Sequence, residues 1–398
     1  MLSSQSPVMI IRKNPYNEYY GEFTSSVERN PNPDLKWEKT TSYNLGFEWG
    51  FLNRRLQVDA SVYWKRTKDA FMDKSISTIN GYETYVVNGG DIDNDGYSVG
   101  VTVRPIDTRD WQWSISTNFS RAINRIKSLP SGEQYELNDF LTGNAIVKGK
   151  PVGTFYSYKF IGLSPVDGGP MFDDWFDHTS DLLGLSKYDT YTSVLKATGS
   201  REPTMSGNLS TMLRWKNLRL SANFTYSLGA KTRLFGMYGA GVASDGIYAK
   251  YGQIKSENNL SRDYLDRWIK PGDELHTNIP AIIGKNHPSY FRYQEHWSSN
   301  TDGIQTIADN SWDMYDYSDL RVVSSDYLKL STLSLSYDFP KHLLKGWRCQ
   351  RLELTVTGSN LFTLCDSKLK GQTPTQGGFT TVQLSDRPGF SCGLNITF

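Results

Sequence analysis

The sequence predicts an all-β fold: an antiparallel transmembrane β-barrel with long extracellular loops. Three observations carry that prediction. First, side-chain character alternates with period two over runs long enough to cross a bilayer. From Leu218 to Leu228 every even position is apolar or aromatic and every odd one is polar, about the length a tilted strand needs to span the hydrocarbon. Second, the links between such runs alternate between short and long, as in barrels with tight turns on one side and large loops on the other. Third, the 398 residues are only 38% hydrophobic yet hold 24 Tyr and 11 Trp. Rings with one apolar and one wet end suit a wall that meets water at both rims.

The same composition excludes other classes. Mean hydropathy is −0.51, and no run of about 18 apolar residues exists, so a helical membrane bundle is excluded. Lys and Arg number 43 against 42 Asp and Glu, a formal charge of +1, which argues against a nucleic-acid partner. Cys349, Cys365 and Cys392 contain no CxxC and define neither a zinc site nor a disulfide framework, although one pair could bridge in an oxidising compartment. The start, Met1 to Pro7, lacks the basic and apolar regions of a secretory signal. That leaves a cytoplasmic protein or a chain without its true start, and the strands favour the second.

Taken in order, about eleven strands are expected, near 40–50, 55–70, 75–87, 96–106, 111–121, 153–163, 205–216, 217–229, 327–339, 350–361 and 389–398. Alternation marks Leu56 to Trp64, Tyr97/Val99/Val101/Val103, Trp111/Trp113/Ile115 and Leu352/Leu354/Val356. Gly50 to Arg55, Lys216-Asn217 and Pro340 to Trp347 read as tight turns, and 164–203, 230–324 and 362–388 as long loops. The interval 122–152 breaks the rule, being long where a short turn is due. The strand near 327–339 breaks register: Leu328 and Leu330 are even, Leu333, Leu335 and Tyr337 odd. A β-bulge near Ser331-Thr332 is the simplest repair. Asp263 to Ile269 is long enough for about two helical turns, ended by Lys270-Pro271-Gly272. On the last strand Cys392 falls on the apolar face, as a buried small hydrophobe. Along 218–228 the lumen face takes Arg219, Ser221, Asn223 and Thr225, and the lipid face Leu218, Leu220, Phe224 and Leu228.

Chemical motifs are sparse. Asp91 to Gly96 copies the first half of a calcium loop, but its twelfth position is Thr102 instead of Glu, so a turn between strands is the expected role. Asp173, Asp174, Asp177 and His178 form an acidic loop cluster that a metal could use, with solvation the simpler account. No HExxH, GxSxG, P-loop or Ser-His-Asp pattern occurs, and Gly236 to Gly241 lacks the helix of a dinucleotide fingerprint. No catalytic residue, metal site or cofactor is expected. An aromatic loop segment is the candidate substrate contact: Tyr290, Tyr293, Trp297, Trp312 and Tyr315, beside Phe291, Tyr317, Arg292, Gln294, Asp313 and Asp316. Ring faces stack on sugars, while carboxylates and amides bind hydroxyls; packing within the loops or against a cap protein is the alternative. Trp49 and Trp64 suit an interfacial girdle.

Several segments resemble the SusC/RagA-like family of TonB-dependent outer-membrane transporters of Bacteroidetes. They are Asn32-Pro33-Asp34-Leu35-Lys36-Trp37-Glu38 followed by Tyr43-Asn44-Leu45-Gly46, Tyr63 to Asp69, Asn88 to Gly96, Gly149 to Tyr156, Asp326 to Leu330 and Gly358 to Phe362. Each is weak alone; their order is specific. The resemblance implies a 22-strand barrel filled by a plug and capped by a SusD-like lipoprotein. It implies uptake of glycans or peptides, energised by TonB-ExbB-ExbD. It also implies that terminal Phe398 is read by the barrel assembly machinery. No signal, plug or TonB box is recognisable, so the expectation is the C-terminal part of such a barrel, with 1–39 as extracellular loop and 40–398 as strands and loops among outer-membrane lipids. An odd strand count, which cannot close alone, agrees with that. The alternatives are a truncated, non-transporting paralogue and, far less favoured, a barrel enzyme.

Overall fold

The computed structural model describes residues 10–17, 22–29, 32–75, 84–129, 135–173, 180–237, 262–284, 286–294, 310–344, 349–376 and 387–398. Nine strands make one antiparallel meander: β1 (Lys39–Phe51), β2 (Leu56–Ser75), β3 (Thr84–Asp107), β4 (Trp111–Ser128), β5 (Met205–Trp215), β6 (Leu218–Leu228), β7 (Tyr327–Asp338), β8 (Arg351–Cys365) and β9 (Gly389–Thr397). Each strand pairs with its sequence neighbours, and β1 and β9 lie at the two edges. A separate hairpin, Ile10–Asn17 with Glu22–Arg29, precedes the sheet within the stretch read as loop.

The expected eleven strands become nine for a stated reason. Residues 75–87 and 96–106 are not two strands: Thr84–Asp107 runs unbroken for 24 residues. The glycines and aspartates of 88–96, read as a turn, lie inside it. Its Gly90 and Gly96 make room for neighbours instead of bending the chain. A Cβ at Gly90 would meet the Met72 side chain at 1.9 Å, and one at Gly96 the Tyr63 hydroxyl at 2.5 Å, the packing of a ring over a strand glycine. The segment near 153–163 splits into Thr154–Ser157 and Phe160–Leu163, which pair with Lys196–Ser200 and Pro170–Phe172 outside the main sheet.

That correction removes the anomaly at 122–152. β4 continues to Ser128, and everything from 129 to 204 is one long excursion before β5. The links 52–55, 108–110, 216–217 and 339–350 then lie at one end and 76–83, 129–204, 229–326 and 366–388 at the other; apart from 339–350 with twelve residues and 76–83 with eight, the first set is short and the second long. The expected bulge is present: Ser331 has no partner in the β6 register, which passes from Asn223↔Thr332 to Phe224↔Leu330.

The two faces follow parity. Cross-strand partners point to the same side, so one row reads Cys392, Val356, Leu335, Leu220, Leu213 and Trp113 across β9 to β4. Leu220, Leu335, Val356 and Trp215 on this face are exposed. Cys392 is exposed too, not buried, because β9 carries no layer over its apolar side. The other face is a lattice of hydroxyls and amides: Ser334–Thr357 at 2.9 Å, Ser336–Thr355 at 2.9 Å, Asn223 to Thr332 at 2.8 Å and Ser61–Ser98 at 2.7 Å. Aromatics gather at the short-turn rim, with Trp111 stacked on Trp215 at 5.7 Å and Phe47 on Trp49 at 5.5 Å. Leu218 to Tyr226 lie eight positions apart, about 27 Å along the strand, the height of an outer-membrane apolar band.

The apolar core lies in the long links, not in the sheet. Phe140, Leu141, Tyr156, Leu163, Leu182, Tyr191, Met237, Ile283, Trp312 and Tyr315 belong to one buried cluster. This loop tier is tied to the strand ends: Asn124 on β4 accepts from the Val152 N–H at 2.8 Å, and the Leu228 carbonyl from the Thr204 N–H at 3.0 Å.

Candidate functional site

The loop tier is organised around Arg233, in the short strand Lys231–Arg233 that follows β6. The residue is 6% exposed, and its guanidinium is enclosed by the partners that follow. It donates to the carbonyls of Leu141, Tyr156 and Ser318 and to Ser157 Oγ, at 2.9–3.2 Å. It also lies over the rings of Phe155 and Tyr317, at 5.6 and 5.2 Å. Burial pushes its pKa down to about 10, so the cation persists at neutral pH. Three chain segments distant from it in sequence converge on this one side chain. Nothing in Lys231-Thr232-Arg233 announces it except a cation at the edge of a Gly- and aromatic-rich loop.

The predicted aromatic segment is built into this tier. Tyr290, Tyr293, Trp312 and Tyr315 are all buried, Tyr315 fully; Trp297 lies outside the described residues. Tyr293 donates to Asp167 Oδ1 at 2.7 Å and meets Trp312 at 5.7 Å. A Cβ on Gly169 would strike the Tyr293 ring at 2.0 Å, so the glycine admits the ring. Burial pushes the Asp167 carboxyl up, but hydrogen bonds from Tyr293, Ser164, Ser289 and the Gly169 N–H outweigh it and hold it below its ordinary value. Tyr315 stacks edge-on to Phe160 and donates to the Asn278 carbonyl at 3.0 Å. Of the neighbours, Phe291 projects outward.

Tyr315 also lines a cavity of about 610 Å³, together with Asp263, His276, Ile279, Arg321 and Lys370. Asp263 is paired by Arg321 at 3.6 Å and by Lys370, which brings the 229–326 and 366–388 links together. The exposed rim holds Asp266, His276 and Lys368. The cavity therefore offers carboxylates, cations and one aromatic edge. The 263–269 segment forms a 3₁₀ turn, Arg262–Asp266, instead of two α turns. Asp273 accepts the N–H groups of Ile269 and Lys270 at 3.0 Å each and closes the turn there.

The other sequence candidates fare simply. Asp91 to Gly96 is strand, and Asp93 and Asp95 pair with Arg66 at 3.3 and 2.7 Å. Asp173 pairs with Lys159 at 2.6 Å; Asp174, Asp177 and His178 lie outside the described residues. No group of metal-ligating side chains occurs among the described residues, and the three cysteines are unbridged. Phe398 follows β9 and is exposed.

The model of the TonB-dependent receptor-like β-barrel family matches residues 10–163. TonB-dependent receptor P3 of Formosa agariphila is 24% identical over 84% of this chain and 30% of its own length. TonB-dependent receptor SusC of Bacteroides thetaiotaomicron is 29% identical over 38% of this chain and 17% of its own. The solved RagAB peptide transporter covers 98% of this chain and 38% of its own at a TM-score of 0.69 and 20% identity. Along most of its length the chain is thus similar to TonB-dependent receptors, SusC and RagAB among them. The likeness places it in the outer membrane, and the exposed apolar face of β1 to β9 has the character of a lipid-facing wall. The chain spans about a third of the length of the curated relatives it matches. Those relatives are receptors and transporters, in keeping with a non-enzymatic role.

Proposed function

We propose that this chain supplies nine strands and four outer links to a 22-strand TonB-dependent importer of an oligomeric nutrient. The observation that carries the reading is the division of labour just described: a two-faced wall, crowned by loops that hold their own core and an open cavity. The wall's hydroxyl-rich face lines the lumen. The cavity beside Tyr315, with Asp266, His276 and Lys368 on its rim, is the capture surface. Tyr290, Tyr293 and Trp312 belong to the buried core that supports it, and these three and Trp297 remain contact candidates.

The cargo is a glycan or oligosaccharide, as the motif resemblance implies. The similarity to RagAB, a peptide transporter, supports a peptide as second reading. A SusD-like lipoprotein covers the loop tier, TonB-ExbB-ExbD energises release, and the assembly machinery reads Phe398. No cofactor takes part. The test is growth of a strain deleted for the gene on a panel of polysaccharides and oligopeptides as sole nutrient. Loss on one class, restored by the wild-type gene and not by one carrying His276→Ala and Lys368→Ala, supports the reading. Growth unchanged on every member sinks it and favours the non-transporting alternative.

A further inference from the structure

The outward face carries a charge pattern that transport does not use. Toward the long-link end of β1 to β4 cations replace apolar side chains on this face, with Ile123 the exception between Arg121 and Arg125. Partner pairs fix the face: Tyr43↔Trp64 is followed outward by Thr41↔Arg66 and Lys39↔Lys68. Arg66 faces Asp93, Asp93 faces Arg125, and Tyr97 faces Arg121. Lys127 joins the same side, its Nζ 3.4 Å from Asp93. Six cations against two carboxylates leave this corner at +4. Asp93 and Asp95 engage Arg66 and Lys127. Lys39, Lys68, Arg121 and Arg125 are exposed and have no acidic partner among the described residues.

The contrast with the rest of the wall gives the pattern its meaning. At the level of Arg121 and the row below it, the outward positions of β5 to β8 are Met205, Leu228, Leu328 and Leu364, and β5 to β8 end there while β1 to β4 run on. The cations thus gather where four strands extend past the other five, in one corner of the face. The patch is about 15 Å across four strands and about 20 Å along them. It sits where the headgroups of the outer leaflet meet the wall, in a medium where water screens poorly.

We propose that this patch is a docking site for a phosphate-bearing lipid headgroup of the outer leaflet. Arg121, Arg125, Lys68 and Lys39 contact the phosphates. The Asp93–Arg66–Lys127 cluster holds the strands' charges in place, and Tyr43, Trp64 and Tyr97 flank the upper acyl chains. The inference needs only the outer-membrane orientation and is independent of the cargo.

The test is native mass spectrometry of the detergent-purified protein titrated with bisphosphorylated lipid A. The wild type should hold the lipid, and Lys68→Gln/Arg121→Gln/Arg125→Gln should weaken it on the order of a hundredfold, at roughly fivefold per cation. Dephosphorylated lipid A should bind the wild type as weakly as the intact lipid binds the triple variant. Lys65→Gln, on the opposite face of β2, should leave binding unchanged. Heat-modifiable mobility on gels checks that every variant is folded. Equal binding of phosphorylated and dephosphorylated lipid, equal loss in Lys65→Gln, an unaffected triple variant, or displacement by inorganic phosphate alone would each overturn the proposal.

Discussion

At the scale of single residues, parity decides what a substitution does. Leu220 and Ser221 are neighbours in sequence and opposites in environment: Leu220 lies in an apolar row between Leu213 and Leu335, Ser221 opposite Ser334. Leu220→Arg should cost about 2–4 kcal/mol, and Ser221→Arg much less, in folding titrations into lipid vesicles; equal losses would contradict the face assignment. This much is legible in the alternation of 218–228. Arg233 and the Asp263 cluster are not, because their partners lie 76 or more residues away for the first and 107 for Lys370 in the second. Tyr293 lies between these cases: its aromatic setting is legible, its burial against Asp167 is not. Asp167 is held below its ordinary value, so its contribution to the tier is full above about pH 4 and is lost as pH falls through the lowered pKa. Tyr293→Phe removes one bond that lowers it. The acid transition of the loop tier, followed by tryptophan fluorescence, should therefore move to higher pH; an unmoved midpoint would show that the bond does not set it.

At the scale of elements, the β7 bulge makes a sharp comparison. Ser331 is the one residue there that β6 does not pair. Deleting it leaves Leu328, Leu330, Leu333 and Leu335 on one face, whereas deleting Ser334 turns Leu335 and Tyr337 toward the lumen. We expect the first deletion to reach the outer membrane in folded, heat-modifiable form and the second to fail; the reverse ranking would refute the register. The parity break made this bulge readable in advance. The β3 strand was not readable, because glycine and aspartate carry turn chemistry in most settings, and only the ring of Tyr63 over Gly96 explains why they lie flat here. Arg233→Ala belongs to this scale as well. It leaves three carbonyls without their donor, at about 1–3 kcal/mol each. Intact cells should then show faster proteolysis within 135–173 and 310–326, with the strands still folded.

At the scale of the molecule, the alternation of short and long links assigns the two ends of the sheet. In a background with the native cysteines replaced by serine, a cysteine at Val166 should react with a membrane-impermeant maleimide on whole cells. One at Arg54 should react only after lysis. Labelling of both, or the opposite pattern, would invert the orientation. The wall was largely predictable from sequence since period two is a local signal, and the strand errors fell where glycine or loop pairing mimicked another element. The tier was not, since its core assembles from links that no local pattern connects.

That the oily interior belongs to the crown and not to the wall has a further consequence. The two parts draw on different solvents, one on water expelled from among aromatic rings, the other on hydrocarbon outside. A lineage could therefore rebuild the crown, exchanging 129–204 and 229–326 for another pair of insertions, while the staves beneath stayed as they are.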